Sequence, residues 1–308
     1  MQILFAPLQG YTDFDFRNTH NAVYGHIDAY YTPFVRLESG GTFRPKDIKD
    51  ISPERNTVTR LVPQLIASSH DEAAAIVTMI ADKGYTEIDI NMGCPHRLMT
   101  IRGKGAAILS SPDKVADVLS VTNDFPEITF TLKMRTGMEN HDECLALVPA
   151  INASRLAHVT VHPRTGRQQY TGEADRDAFD RFAQLCDKPL VFNGDLLTTD
   201  DIDAVMTRFP SLAGVMVGRG LLANPALAME WKTGKTLDDH ERRALLRRFV
   251  TALRTAYEER MQGEKQLLMH LHPMWEYLYP EMEKRDRKRI IKSSKLAVYT
   301  RCVDEALR

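Results

Sequence analysis

EITFTLKMRTGMENHDECLALVPAINASRLAHVTVHPRTG, residues 127–166, reads as strand, helix, strand. TFTLKM (129–134) and HVTVH (158–162) are short β-branched and aromatic runs, whereas DECLALVPAINA (142–153) between them repeats its apolar residues at three- and four-residue spacing. The same alternation extends outward in both directions. Strands ILFAP (3–7), AYYTPFV (29–35), RLVPQLI (60–66) and EIDIN (87–91) come before, and PLVFN (189–193) and GVMVG (214–218) after. Helical patterns at 71–84, 112–123 and 175–186 fill the intervals. Eight strands alternating with helices predict an α/β fold of the (β/α)8 TIM-barrel type rather than an open sheet. The runner-up, a doubly wound sheet, carries its nucleotide-binding glycines in the first βα turn, and PLQGYTD lacks that spacing.

After Pro225 the strands cease and long helical patterns take over, at 241–262 and 285–307. The reading is a barrel domain over 1–235 and a small all-helical domain over 240–308, joined by the polar, glycine-containing KTGKTLDD (232–239). A chain of 308 residues accommodates one large and one small domain, and 43% hydrophobic with 26% charged residues excludes a disordered or collagen-like chain. No apolar run is long enough for a membrane span or a signal peptide, so a cytoplasmic monomer without membrane contact is expected. Residues 240–308 hold 16 Lys+Arg against 10 Asp+Glu, whereas the preceding residues hold 24 against 31. A cationic tail on an anionic body points to a polyanionic partner for the tail.

Active sites of such barrels form where the strands end. The closing residues here are Ala6-Pro7, Phe34-Val35-Arg36, Gln64, Asn91 with Cys94, Lys133 with Arg135, His162 with Arg164, Asn193-Gly194-Asp195 and Gly218-Arg219-Gly220. FNGD (192–195) and VGRG (217–220) place glycines after strands seven and eight, the usual phosphate position in this fold. Lys133 and His162 aim cationic or hydrogen-bonding groups at the barrel mouth, as a reduced flavin requires, and Gln64 and Asn91 suit its polar edge. A Schiff-base lysine is the competing reading of Lys133, since Arg135 on the same strand face would depress its pKa. Cys94, in NMGCP ahead of a long glycine-containing loop, is expected to be a mobile, exposed thiol with a proton-transfer or nucleophilic role. Cys144, Cys186 and Cys302 fall in helical patterns and read as packing residues. No metal site is expected, because no C-x-x-C pair occurs and His270 and His272, two apart, diverge on a helix.

Taken together, APLQGYTD (6–13), NMGCP (91–95) with RGKGAAIL (102–109), KMRTG (133–137), HPRTGRQQYTGEAD (162–175), FNGD and GVMVGRG (214–220) closely resemble the tRNA-dihydrouridine synthases, in that family's order and across nearly the whole chain. FVRL (34–37) is similar to the bacterial C-type subgroup. The resemblance implies FMN as cofactor, NADPH as reductant and a uridine of transfer RNA, most simply one in the D-loop, as substrate. Pro7, Gln64, Lys133, His162, Asn193, Gly194, Gly218 and Arg219 match FMN positions, and Ala6, Leu8 and Asp195 beside them are assigned with them. Cys94 matches the general acid that protonates uracil C5 after hydride reaches C6. Asn91, Arg135 and Tyr170 match positions facing the base or its ribose-phosphate, and Phe34, Arg36 and Arg164 are placed with them on the substrate side. The cationic tail would then hold the RNA backbone while the uridine is swung out of its stack. Two other functions fit parts of the pattern: a flavin dehydrogenase of free pyrimidines, similar to dihydroorotate dehydrogenases, and a non-catalytic tRNA-binding protein.

Overall fold

A computed structural model describes residues 1–38 and 40–308. Its elements run β1 (Gln2–Phe5), α1 (Phe14–Val23), β2 (Ala29–Tyr31), α2 (Pro45–Asp50), β3 (Leu61–Val62), β4 (Gln64–Leu65), α3 (His70–Ala81), β5 (Glu87–Met92), α4 (Arg97–Thr100), α5 (Pro112–Asp124), β6 (Thr129–Gly137), α6 (Glu143–Ala153), β7 (Leu156–Thr165), α7 (Arg176–Ala183), β8 (Leu190–Asn193), α8 (Thr199–Arg208), β9 (Gly214–Val217), α9 (Arg219–Ala223) and α10 (Leu227–Thr233). Four further helices complete the chain: α11 (Asp239–Arg260), α12 (Glu264–Met274), α13 (Lys284–Ile291) and α14 (Leu296–Ala306).

All strand pairs are parallel, in the order β3-β2-β1-β9-β8-β7-β6-β5-β4. β3 and β4 are two halves of the expected third strand. Pro63 lies between them, lacks an N–H, and accepts the Asp89 N–H at 2.9 Å through its carbonyl, so the first half pairs with β2 and the second with β5. The sheet therefore closes on itself with eight staves, as the alternation predicts. The second strand is shorter than expected: it ends at Tyr31, and the chain rejoins the sheet only at the Val35–Leu65 bridge. Pro33, which can neither donate to a ladder nor leave its neighbour's backbone unrestricted, sits at the break. β6 and β7 are longer than expected, and their last residues stand above the barrel mouth.

Residues alternate across each strand, so Leu4, Tyr31, Val62, Val191 and Met216 fill the barrel interior while Ile3 and Phe5 face the helices. The helical tail joins this outer core. α11 begins with a capping box between Asp238 and Glu241 and buries Phe249 edge-on against Phe16 of α1, with ring centroids 5.4 Å apart. Burying a ring of that size stabilises by roughly 1.5–3 kcal/mol. Tyr257 and Arg260 of α11 bond Asp13 at 3.1 and 2.8 Å. Within the segment 232–239, Gly234 is left-handed, Leu237 is buried, and the Leu237 N–H donates to the buried Glu230 carboxylate at 2.9 Å. The expected helix over 285–307 is two helices, α13 and α14, with the break at 292–295. No helix among the described residues is long and apolar enough to cross a membrane.

Candidate active site

The strand ends meet at the barrel mouth around a cleft of about 490 Å³, lined among others by Pro7, Phe34, Gln64, Cys94, Lys133 and Tyr170. A smaller chamber of about 60 Å³ continues it between Asn193, Gly194, Gly218 and Arg219. Pro7, Leu8, Lys133, His162 and Tyr170 wall both spaces, and Ala6 and Asp195 close the smaller one.

Cys94 follows β5 and is held from three sides. Its N–H and that of Gly93 donate to Asn91 Oδ1 at 2.9 and 3.0 Å, its carbonyl accepts the Ala106 N–H at 2.9 Å, and Phe34, Ile66 and Met99 pack around it. Gly105, at φ +63°, lies so close that a Cβ there would stand 2.4 Å from the Cys94 carbonyl oxygen. The expected mobile, exposed thiol is thus a fixed, half-buried one, because the loop after it folds into α4 and a 3₁₀ turn (Gly105–Ser110) that close back onto it. Burial pushes the thiol pKa up; the His96 N–H and the charges of Arg135 and Lys133 only partly oppose this. A thiol that keeps its proton near neutral pH suits a proton donor, not a nucleophile.

Below Cys94 the barrel interior is polar. Asn91 Nδ2 donates to Gln64 Oε1, Gln64 Nε2 to Asp89 Oδ2 and Thr131 Oγ1 to Asp89 Oδ1, each at 2.6 Å. Lys133 Nζ donates to Asn193 Oδ1 at 2.8 Å, and Asn193 is itself oriented by Nδ2 donating to the Met216 carbonyl at 2.6 Å. Burial and then the Arg135 charge pull Lys133 down to about 8, while Asp89 pulls the other way.

His162 is held well below its ordinary pKa by burial and by Arg135, Lys133, Arg164 and Arg219, and is neutral. Arg164 donates to its Nε2 at 3.1 Å, and because arginine cannot accept, Nδ1 carries the proton. Gly194, at φ +129°, lets the imidazole lie against the backbone: a Cβ there would stand 2.9 Å from His162 Cδ2. Among the described residues the N–H groups of Gly194, Gly218 and Arg219 donate to no protein acceptor.

Two residues expected at the substrate stand elsewhere. Arg164 is 1% exposed and grips Asp195 at 2.7 and 2.9 Å, together with the Gly172 carbonyl, so it braces the loop after β8. Arg36 pairs with Glu38 at 2.6 Å on the rim, outside the cleft. Asn91 reaches the cleft, but its amide is committed to Gln64 and the Cys94 loop. Arg135 lines the cleft while donating to the Gly93 and Thr165 carbonyls at 3.0 and 2.8 Å. The Arg135 and Arg219 guanidiniums lie over the Tyr170 ring, 5.6 and 4.5 Å from its centroid, and Tyr170 is 50% exposed.

Sequence reasoning missed Asp89, although a carboxylate in the apolar run EIDIN, two residues from Asn91 and so on the same strand face, was a usable signal. It also missed Tyr11 and Tyr277. The tail brings Tyr277 to the cleft, edge-on to Tyr11 at 5.4 Å, and Tyr11 OH donates to Glu276 at 3.2 Å. No local pattern announces a contact between residues so far apart in the chain.

The tRNA-dihydrouridine(16) synthase of Ralstonia nicotianae is 30% identical over 239 residues, 74% of this chain and 72% of the relative. The tRNA-dihydrouridine synthase B of Pasteurella multocida is 30% identical over 229 residues, 73% of this chain and 67% of the relative. Among solved structures, morphinone reductase in complex with tetrahydroNAD superposes with a TM-score of 0.53 at 11% identity, over 77% of this chain and 88% of that one, a likeness of fold. The model of the dihydrouridine synthase (Dus) family matches residues 4–297, and the chain belongs to that family.

Proposed function

We propose that this protein is an FMN-dependent tRNA-dihydrouridine synthase, a cytoplasmic monomer that reduces the C5–C6 bond of a D-loop uridine with NADPH. The observation that carries the proposal is geometric: one continuous space joins the half-buried Cys94 thiol, fixed by its loop, to a chamber lined by Lys133, Gly194, Gly218 and Arg219. The chamber fits a flavin phosphate: unpartnered N–H groups at Gly194, Gly218 and Arg219 converge there with the Arg219 side chain. Gln64, Lys133 and the His162 Nδ1–H, which line the adjoining cleft, would hold the polar edge of the flavin ring. Held there, FMN would supply the chemistry of hydride transfer from NADPH to uracil C6.

The chain's own groups do the rest. Lys133, whose cation is held in place by Asn193, stabilises negative charge at the ring edge. Cys94 donates the proton to C5, where electron density accumulates as hydride arrives, from a loop that Asn91 and Ala106 keep in register. Tyr170 and Tyr277 offer aromatic surface at the cleft mouth to a base drawn out of its stack, and the Arg135 guanidinium beside Tyr170 faces its ribose-phosphate. The exposed Lys284, Arg285, Lys288 and Lys292, which form no ion pair among the described residues, hold the RNA backbone. A Schiff-base role for Lys133 shares the depressed pKa but leaves the half-buried Cys94 thiol and the chamber at Gly194, Gly218 and Arg219 without work.

The test is direct. Purified protein should show flavin absorbance and, with NADPH and unmodified tRNA, form dihydrouridine measurable by mass spectrometry of the digested RNA. Flavin-loaded protein that oxidises NADPH yet leaves every tRNA uridine unreduced would refute the assignment.

A further inference from the structure

Asp89 is fully buried in the barrel interior, a place where an apolar side chain would pack without desolvating a charge. Its two oxygens accept from Thr131 and Gln64; Gln64 accepts from Asn91; and Asn91 accepts from the Gly93 and Cys94 N–H groups. Every member except the loop backbone is a side chain at most 8% exposed. Each amide has two faces, a donor and an acceptor, and the two ends of the chain of bonds decide which way they point. At the upper end, backbone N–H groups demand the Asn91 oxygen. At the lower end, a carboxylate demands the Gln64 nitrogen. Only one orientation of both amides satisfies both demands; turning either one sets donor against donor or oxygen against oxygen in a buried space.

We infer that Asp89 is a positioning residue for Cys94, acting through Gln64 and Asn91 so that its acceptor oxygens fix both amides and thereby the loop that carries the thiol. The assignment of Cys94 as proton donor rests on the function proposed above; the coupling of Asp89 to the loop does not. Burial pushes the Asp89 carboxyl up to about 6, so at neutral pH it is still the ionised double acceptor that this arrangement needs.

The coupling is tested with isosteric variants of the flavin-loaded protein, read by hydrogen–deuterium exchange of a peptide covering residues 93–106. Asp89→Asn should exchange as wild type, because the new amide can offer its oxygen to Gln64 and its nitrogen to the Thr131 hydroxyl, which turns to accept. Asn91→Asp keeps an oxygen toward the loop but sets a second oxygen against Gln64 Oε1, and Gln64 cannot turn while Asp89 holds its nitrogen. Exchange over 93–106 should accelerate about tenfold. The double variant Asp89→Asn/Asn91→Asp lets the amide at position 89 donate to Gln64 and lets Gln64 turn and donate upward, so exchange should return to within about twofold of wild type. A double variant as fast as Asn91→Asp alone would overturn the inference, as would wild-type exchange in Asn91→Asp or acceleration that spreads equally to β7 and α11. None of these readings depends on turnover, so a protein that failed to make dihydrouridine would leave the test intact.

Discussion

Arg164→Met separates a brace from a substrate contact. The wild-type guanidinium is held by both oxygens of Asp195, by the Gly172 carbonyl and by His162 Nε2, with its side chain 2% exposed. Methionine fills the space but strips the partner of a buried ion pair, a loss of roughly 3–5 kcal/mol when the remaining charge stays buried. Asp195 is 32% exposed in its side chain and keeps Arg219 at 3.1 Å, so the loss falls below that range, at about 1.5–3 kcal/mol, as for a hydrogen bond to a charged group. Urea unfolding of the flavin-free protein should show that loss. Flavin retention should fall as well, because His162 and Gly194 lose the group that sets their spacing. Unchanged stability, within about 0.5 kcal/mol, together with a raised KM for tRNA alone would show that Arg164 meets the RNA, as the strand-end pattern suggested, and would refute the bracing role.

Asp89→Asn also has a pH signature. Burial, opposed in part by hydrogen bonds from Thr131 and Gln64 and by the Lys133 charge, raises this carboxyl from 3.8 to about 6. The folded state therefore binds that proton more tightly than the unfolded state: its stabilising share is complete below about pH 4 and is lost as pH rises through 6, a change on the order of 3 kcal/mol. Relative to wild type the variant should gain about that much between pH 4 and 7.5 by urea unfolding; a difference that does not move with pH would show that Asp89 titrates normally. In the tail, replacing Lys284, Arg285, Lys288 and Lys292 with Gln should raise the KM for tRNA and reduce the log–log salt slope by roughly 0.7–0.9 for each phosphate that is no longer neutralised, leaving flavin content unchanged. An unaltered slope would place the RNA on the rim around Arg36, Arg97 and Arg102 instead. Arg287 does not belong in that set, because it donates to the Leu278 and Tyr279 carbonyls at 3.0 and 2.7 Å and to that of Trp275.

What the sequence made legible and what it hid divide along a physical line. Strand and helix alternation is written in periods of two and 3.6, so the barrel and the row of polar strand ends at its mouth could be read directly. Pro33 cut the second strand short and Pro63 split the third in two, because proline removes a ladder donor, but neither changed the order of the staves. Commitments between side chains were not legible. Arg164 and Tyr170 are both polar residues near the end of β7, yet one is buried in a brace and the other half exposed at the cleft, and only the positions of Asp195 and Arg219 decide which. The same holds for Cys94, whose loop looked mobile until α4 and Gly105 closed on it. Asp89, Tyr11 and Tyr277 depend on contacts that no local pattern encodes, the last on the helical tail folding back over the barrel mouth.

The most direct measurement is a single-turnover experiment on Cys94→Ala. The variant is loaded with flavin, reduced with NADPH, and mixed with unmodified tRNA while flavin reoxidation and dihydrouridine are followed together. Reduction by NADPH should proceed as in wild type, because that half-reaction needs no thiol. Dihydrouridine formation should fall by about 10²- to 10⁴-fold, the range over which a positioned proton donor accelerates such steps. Wild-type rate and yield of dihydrouridine in the variant would contradict the proton-donor role of Cys94.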